Sequence, residues 1–177
     1  MKSLIVAAVA GLVLVSGKAG PSDEMFAELK SAPSDIVAES LADDINASFR
    51  ESGSATADIL LERAMIAETV EKYDLAREFL DRAIAVKPDY AEAWFLRSLL
   101  FMEDEMIDQA LFDLNEALTH EPRHFRAWLT LGSVFEMLGQ NKQALESYRE
   151  VLKIYPRHPG ANSNIRRLAP LVDGRAI

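Results

Sequence analysis

Most of the chain follows a helical pattern of apolar and polar residues, and this pattern recurs at a fixed interval. Apolar residues return after three or four positions, which is the spacing that places them on one face of an α-helix. Short polar turns and prolines separate the helical segments. Six columns of similar residues recur every 34 positions in three copies: Leu60, Trp94 and Trp128; Ala67, Phe101 and Phe135; Ala76, Ala110 and Ala144; Leu80, Leu114 and Tyr148; Ala83, Ala117 and Val151; and Pro88, Pro122 and Pro156.

This periodicity predicts three copies of one helix-turn-helix unit, at about residues 57–90, 91–124 and 125–158. In the third copy, Gly139 supplies the left-handed turn between two amphipathic helices. The small residues of the columns allow neighbouring helices to approach closely, and the large ones fill the space beside them. Because one helix pair cannot bury its apolar face alone, the three units are expected to stack.

The columns resemble the tetratricopeptide repeat (TPR) family. Its pattern is a large residue, then Leu-Gly, an aromatic residue, Ala, a second large residue, Ala and Pro. The second copy has Arg97-Ser98 where Leu-Gly is usual, and the first copy is degenerate in its first helix. The resemblance covers residues 57–158 and implies an all-α, right-handed helical solenoid. The third copy matches best, through Trp128, Leu131, Gly132, Phe135, Ala144, Tyr148 and Pro156.

Further segments flank the repeats, and we expect a capping helix at each end of the solenoid. Residues 34–51 carry apolar residues at four-residue steps, which predicts an amphipathic helix, whereas residues 20–33 are expected to be loosely ordered. Ile165 and Leu168 predict a short helix after the last repeat. The predicted organisation is an N-terminal segment with a capping helix at 20–53, a repeat domain at 54–158, and a C-terminal capping helix and tail at 159–177.

Residues 1–19 have the pattern of a signal peptide. Lys2 precedes an apolar run from Leu4 to Val15, and small residues then allow cleavage after Gly17 or Ala19. This pattern predicts a periplasmic or secreted protein. The alternative is an uncleaved segment that anchors the chain, although the apolar run is short for a bilayer core about 30 Å thick.

Composition and charge exclude some classes of partner and of catalytic site. The chain has 28 acidic and 19 basic residues and a net charge of -9, which disfavours nucleic acids and anionic lipid surfaces as partners. It has no Cys, so disulfides, thiolate zinc sites and thiol nucleophiles are excluded. The three histidines are expected to be solvated turn residues. No catalytic, metal or cofactor site is predicted, and the chain is not expected to be an enzyme.

The resemblance also implies a binding surface, because the first helices of successive TPR units line a concave groove that accepts peptides or helices. The expected lining is an apolar floor with an acidic rim. By alignment with the family, the groove residues are Leu61, Met65, Glu92, Phe95, Leu99, Met102, Arg126, Leu129, Glu136 and Met137. The family members that clamp a C-terminal carboxylate use Lys, Asn and Arg at set positions, and of the corresponding residues here only Arg126 fits.

Two interpretations of the groove follow. In the first, the protein is a non-catalytic adaptor of the cell envelope that binds another protein or peptide, whose basic flanks meet the acidic rim. In the second, it is a structural, homo-oligomeric element whose groove is covered by its own chain. The covering segment would then be residues 34–51, residues 20–33 or a second copy.

Overall fold

The computed structural model describes residues 20–172 and 174, so the predicted signal peptide at residues 1–19 lies outside the described residues. The predicted all-α helical solenoid is confirmed. No helix in this part of the chain is long and apolar enough to cross a membrane. The helices found within it are α1 (Asp23–Ser31), α2 (Asp35–Ser48), α3 (Ala55–Thr69), α4 (Tyr73–Val86), α5 (Ala91–Glu103), α6 (Ile107–His120), α7 (Phe125–Met137), α8 (Asn141–Ile154) and α9 (Pro159–Val172).

Three helix pairs, α3–α4, α5–α6 and α7–α8, form the repeat units, and each unit stacks on the next through α4–α5 and α6–α7. One hydrophobic cluster fills the first two units and the start of the third, and a second cluster joins the third unit to α1, α2 and α9. Trp128 and Phe135 contact both clusters. The apolar core therefore runs continuously along the solenoid.

The turn within each unit contains one residue in the left-handed conformation, again at intervals of 34 residues. Gly139 has a φ of 70°, as its place in the sequence predicts, and Glu71 and Glu105 have φ values of 57° and 58°. Glycine adopts this conformation freely, whereas a residue with a Cβ incurs a cost of about 1 kcal/mol or more. The first two units therefore carry a small backbone strain that the third avoids.

A small residue on the first helix of each unit faces a larger one on the second. In the third unit, Gly132 lies under the ring of Tyr148, and a Cβ added to Gly132 would be 2.5 Å from Tyr148 Cε1. The corresponding positions hold Ser98 and Leu114 in the second unit and Ala64 and Leu80 in the first, and all four are buried. The absence of a side chain at Gly132 is what allows the tyrosine at 148.

The departure from the repeat pattern at Arg97 is accommodated by an ion pair. Arg97 Nε and Nη2 donate to the two carboxylate oxygens of Asp113 at 2.7 and 2.8 Å, and Nη1 donates to Asp81 at 2.7 Å. Asp113 is buried, and this burial raises the pKa of its carboxyl group while the hydrogen bonds from Arg97 oppose the shift. Since Asp81 lies on α4, Arg97 also connects the first unit to the second.

Helix α9 continues the solenoid with the first helix of a fourth unit. Ala161 and Leu168 are buried at the positions that Ala127 and Val134 occupy in the third unit. Asn162 Nδ2 donates to the carbonyl of Pro156 at 3.2 Å. The Trp94 and Trp128 indoles donate in the same way to Pro88 and Pro122, at 2.8 and 2.9 Å.

The N-terminal segment differs from the expectation in two respects. Residues 20–33, expected to be loosely ordered, contain α1, whose first turn is capped by the Ser22 hydroxyl and whose Phe26 and Leu29 are buried. Helix α2 does not stack on the first unit. Together α1 and α2 form an N-terminal hairpin, and this hairpin packs against the third unit.

The contact between Gly132 and Tyr148 gives a testable prediction. Gly132→Ala is expected to lower the free energy of unfolding by about 1–3 kcal/mol, because the new methyl group displaces the packed ring. Gly160→Ala is the matched control, since its Cβ would meet only His158 at 3.4 Å. Urea unfolding followed by far-UV circular dichroism measures both variants. Equal stability of the two would show that the ring tolerates the methyl group.

Candidate functional site

The ten predicted groove residues lie on the first helices of the three units: two on α3, four on α5 and four on α7. They fall into three sets by exposure. Three of them, Leu61, Glu92 and Phe95, are only 1–2% exposed, so they support the groove without offering surface to a partner. Six are partly buried and Met137 is exposed.

The buried Glu92 accepts two hydrogen bonds from residues at the start of α7. His124 Nε2 lies 2.8 Å from Glu92 Oε2, and Arg126 Nη1 donates to Glu92 Oε1 at 3.2 Å. His124 Nδ1 accepts the backbone N–H of Ala127 at 3.2 Å, so Nε2 carries the proton and donates to the carboxylate. Arg126 also lies over the Phe95 ring, 4.5 Å from its centre. Glu92 therefore joins the second unit to the third and is not a free rim acid.

Glu136, a second predicted rim acid, is also engaged within the chain. The Tyr148 hydroxyl donates to Glu136 Oε1 at 2.6 Å, and Arg167 of α9 forms an ion pair with Oε2 at 2.7 Å. Burial and the bond to Glu136 raise the pKa of Tyr148 to about 12, so the phenol stays a hydrogen-bond donor at physiological pH. Glu136 thus couples the groove helix α7 to α8 and α9.

The open part of the groove is apolar and rich in methionine. Met65, Leu99 and Met102 are partly exposed side chains that pack on the main hydrophobic cluster. Met137 is 66% exposed. The exposed acids on the same helices include Glu62, Glu68 and Glu103, and Glu62 shares a cleft with Met65.

The N-terminal hairpin covers the edge of the groove that is formed by the turns between units. We call this edge, at residues 87–90, 121–124 and 155–158, the turn edge. Phe49 stacks on the imidazole of His124, with ring centres 4.3 Å apart and an interplanar angle of 11°. Phe49 also contacts Phe125 and Phe26. Farther along, the Tyr90 hydroxyl donates to the Arg50 carbonyl at 2.6 Å. The chain therefore covers its own groove at this edge.

Two arginines that are 34 residues apart attach the hairpin. Arg123 forms a 2.7 Å ion pair with Asp23 and lies 4.2 Å from the centre of the Phe26 ring. Arg157 donates to the carbonyls of Ala32 and Pro33, at 2.9 and 3.1 Å. It also forms a 2.7 Å ion pair with Asp35. Equivalent positions of successive units thus bind successive parts of the hairpin.

The histidine prediction is wrong for His124, which is fully buried, and His158 is half-buried against Phe125 and Tyr155. Both imidazoles cap a helix by accepting a backbone N–H through Nδ1. Burial lowers the pKa of His158. The signal available in the sequence was the recurrence of histidine and arginine at 34-residue intervals in the turns. Within residues 20–172 and 174, no three His, Asp or Glu side chains converge in a metal-binding group.

Comparison with known proteins agrees with this architecture. Two models of the tetratricopeptide repeat match the chain, one over residues 125–158 and the other over residues 61–111. A tetratricopeptide repeat-containing protein of Rhizobium etli is 41% identical over 78 residues, which cover 44% of this chain and 38% of the relative. The match thus spans about two fifths of the relative's length. Residues 61–111 and 125–158 therefore consist of tetratricopeptide repeats.

Solved structures show the same fold at lower sequence identity. The TPR domain of Arabidopsis OM64 has a TM-score of 0.61 at 23% identity, and the match covers 66% of this chain and 96% of that domain. The first TPR domain of Spaghetti (RPAP3), solved with an HSP90 peptide, has a TM-score of 0.63 at 20% identity and covers 68% and 95%. The Sgt2 TPR domain of Aspergillus fumigatus has a TM-score of 0.61 at 16% identity and covers 68% and 81%.

The attachment of the hairpin through Phe49 gives the second prediction. Phe49→Ala is expected to lower the free energy of unfolding by about 3–5 kcal/mol, because a buried aromatic side chain is removed. In hydrogen exchange, the amides of α1 and α2 should lose protection before those of α5 and α6. Ile36→Ala, at an 81% exposed site on α2, is the control and should leave both measurements unchanged. Uniform loss of protection in Phe49→Ala would show that the hairpin and the repeats unfold together.

Proposed function

We propose that the protein is a non-catalytic adaptor that binds an apolar or amphipathic segment of another protein in the open part of its groove. The observation that carries this proposal is the partly exposed apolar surface of Met65, Leu99, Met102 and Met137 on three successive first helices. Exposed apolar side chains on successive helices are a typical site of protein contact. Methionine side chains adapt to varied partner shapes, which suits a recognition surface.

The charge of the groove indicates the chemistry of its partner. Glu68 and Glu103 are exposed on the same helices as the apolar residues, so the bound segment is expected to carry basic residues. Arg126 does not form a clamp for a terminal carboxylate, because it is paired with Glu92 and stacked on Phe95. The HSP90 peptide complex of the RPAP3 domain supports peptide binding by this fold, while the residues here favour a different class of peptide.

We propose the cell envelope as the location of this activity. The support comes from residues 1–19, where a basic residue, an apolar run and small residues follow one another as in a signal peptide. The net charge of -9 agrees with a soluble partner that is basic, and it does not favour nucleic acid or an anionic lipid surface.

The groove proposal predicts the effect of adding positive charge to the apolar floor. Leu99→Lys and Met137→Lys are each expected to reduce recovery of the partner from a cross-linked envelope extract by roughly tenfold or more. Lysine both interrupts the apolar surface and repels a basic segment. The recovered proteins are identified by mass spectrometry, with the affinity tag placed at the C-terminus.

Ile36→Lys is the matched control, because it makes the same kind of change at an exposed site on α2, away from the groove. Circular dichroism shows whether each variant remains helical. A partner recovered equally by the two groove variants and by Ile36→Lys would contradict binding in the groove.

The location is tested by the mass of the mature protein. When the full coding sequence is expressed in a bacterium with a periplasm, the exported chain is expected to begin at Lys18 or Gly20, after cleavage at Gly17 or Ala19. Intact-protein mass spectrometry of the periplasmic fraction distinguishes these products. A full-length chain found in the membrane fraction would favour the anchored form, and a full-length chain in the cytoplasm would contradict export.

A further inference from the structure

The first repeat unit exposes a helix face that every later unit buries. Ile59 and Ile66 of α3 are 50% and 58% exposed. The residues at the same two positions in the following three first helices are all between 0% and 3% exposed: Ala93 and Leu100 on α5, Ala127 and Val134 on α7, and Ala161 and Leu168 on α9. We call the exposed surface around Ile59 and Ile66 the stacking face.

Within residues 20–172 and 174 nothing covers the stacking face, because the N-terminal hairpin lies elsewhere. In a solenoid, each of these positions packs against the preceding unit, and a terminal unit normally presents polar residues there. The hairpin could have supplied a preceding unit, but it packs on the third unit instead. Two large β-branched apolar side chains therefore face outward at a position where polar residues would be expected.

The two sides of the stacking face carry opposite charge. On the groove side, one shallow cleft contains Met65 and Thr69 together with Glu62, Asp58 and Arg50, so its charge is net negative. On the other side, Arg63 and Arg82 lie beside Val86 in a second cleft. Within the described residues, Glu62, Arg63 and Arg82 make no ion pair with another side chain. The face thus has an apolar centre, an acidic side and a basic side.

We propose that the stacking face binds the same face of a second copy of the chain, about a twofold axis parallel to α3. Such an interface is isologous, so each contact occurs twice. The rotation places the acidic side of one copy against the basic side of the other, and Glu62 of each copy meets Arg63 of its partner. Ile59 and Ile66 each pack against their own equivalents. A twofold axis perpendicular to α3 would place acid against acid.

This inference is independent of the groove proposal, and sedimentation velocity on the processed protein tests it. The wild-type chain is expected to show a concentration-dependent equilibrium between monomer and dimer. Ile66→Lys is expected to be monomeric at the same concentrations, because it places a charge in the apolar centre. Ile36→Lys, the matched control on α2, and the groove variant Met137→Lys are both expected to remain dimeric.

Charge reversal distinguishes the proposed geometry from other dimers. Glu62→Arg and Arg63→Glu are each expected to weaken the dimer by roughly tenfold, since each brings like charges together. The double variant, with both reversals, restores opposite charges and is expected to return to within about threefold of the wild type. Glu62 and Arg63 are both solvent-exposed residues of α3. Their reversal is therefore expected to change the contact between copies and not the fold of one copy.

Several results would overturn the proposal. A wild-type chain that stays monomeric up to about 1 mM would exclude a dimer of useful strength. A dimer that persists in Ile66→Lys would place the interface elsewhere. Single reversals without effect, or a double reversal without rescue, would exclude the parallel twofold arrangement. Cross-links from α3 to a retained N-terminal segment in a monomer would assign the face to residues 1–19.

Discussion

The stacking of each helix pair on the preceding one is the constraint on which the rest of the structure depends. A single pair leaves one apolar face open, so every unit needs a neighbour. At the C-terminal end, α9 meets this requirement as the first helix of an unfinished fourth unit, with Ala161 and Leu168 buried. At the N-terminal end the requirement is not met within the described residues, and Ile59 and Ile66 stay exposed. The two ends of the solenoid are therefore chemically different.

The hairpin also binds residues that recur every 34 positions, but it packs beside the stacked units and not at the end of the stack. Repeat units stack along the solenoid axis, but the hairpin binds their turn edge through Arg123 and Arg157, which occupy equivalent positions. The buried pair of His124 and Glu92 lies directly beneath Phe49. Because a buried polar group is costly unless it is hydrogen-bonded, this network needs both the aromatic cover and its complete set of partners. Glu92 and Phe95 are consequently buried and not accessible to a partner.

The sequence could predict the all-α solenoid of repeated helix pairs, because the 34-residue period and the helical spacing are local features. It could not predict which groove residues stay accessible. The burial of Phe95 and Glu92 depends on side chains from the start of α7, namely Arg126 and His124. Helix α1 was missed because a helix of nine residues is too short to be stable alone, and its stability comes from the burial of Phe26 and Leu29. Long-range contacts of this kind produce no periodic pattern in the sequence.

The two attachment points of the hairpin also limit how the array can change in length during evolution. Arg123 and Arg157 are separated by one unit, and the hairpin contacts both at once. Loss of the second or the third unit would remove one of these arginines, and the hairpin would then keep only one of its two attachments. The array is therefore not expected to shorten at these units without weakening the attachment of the hairpin.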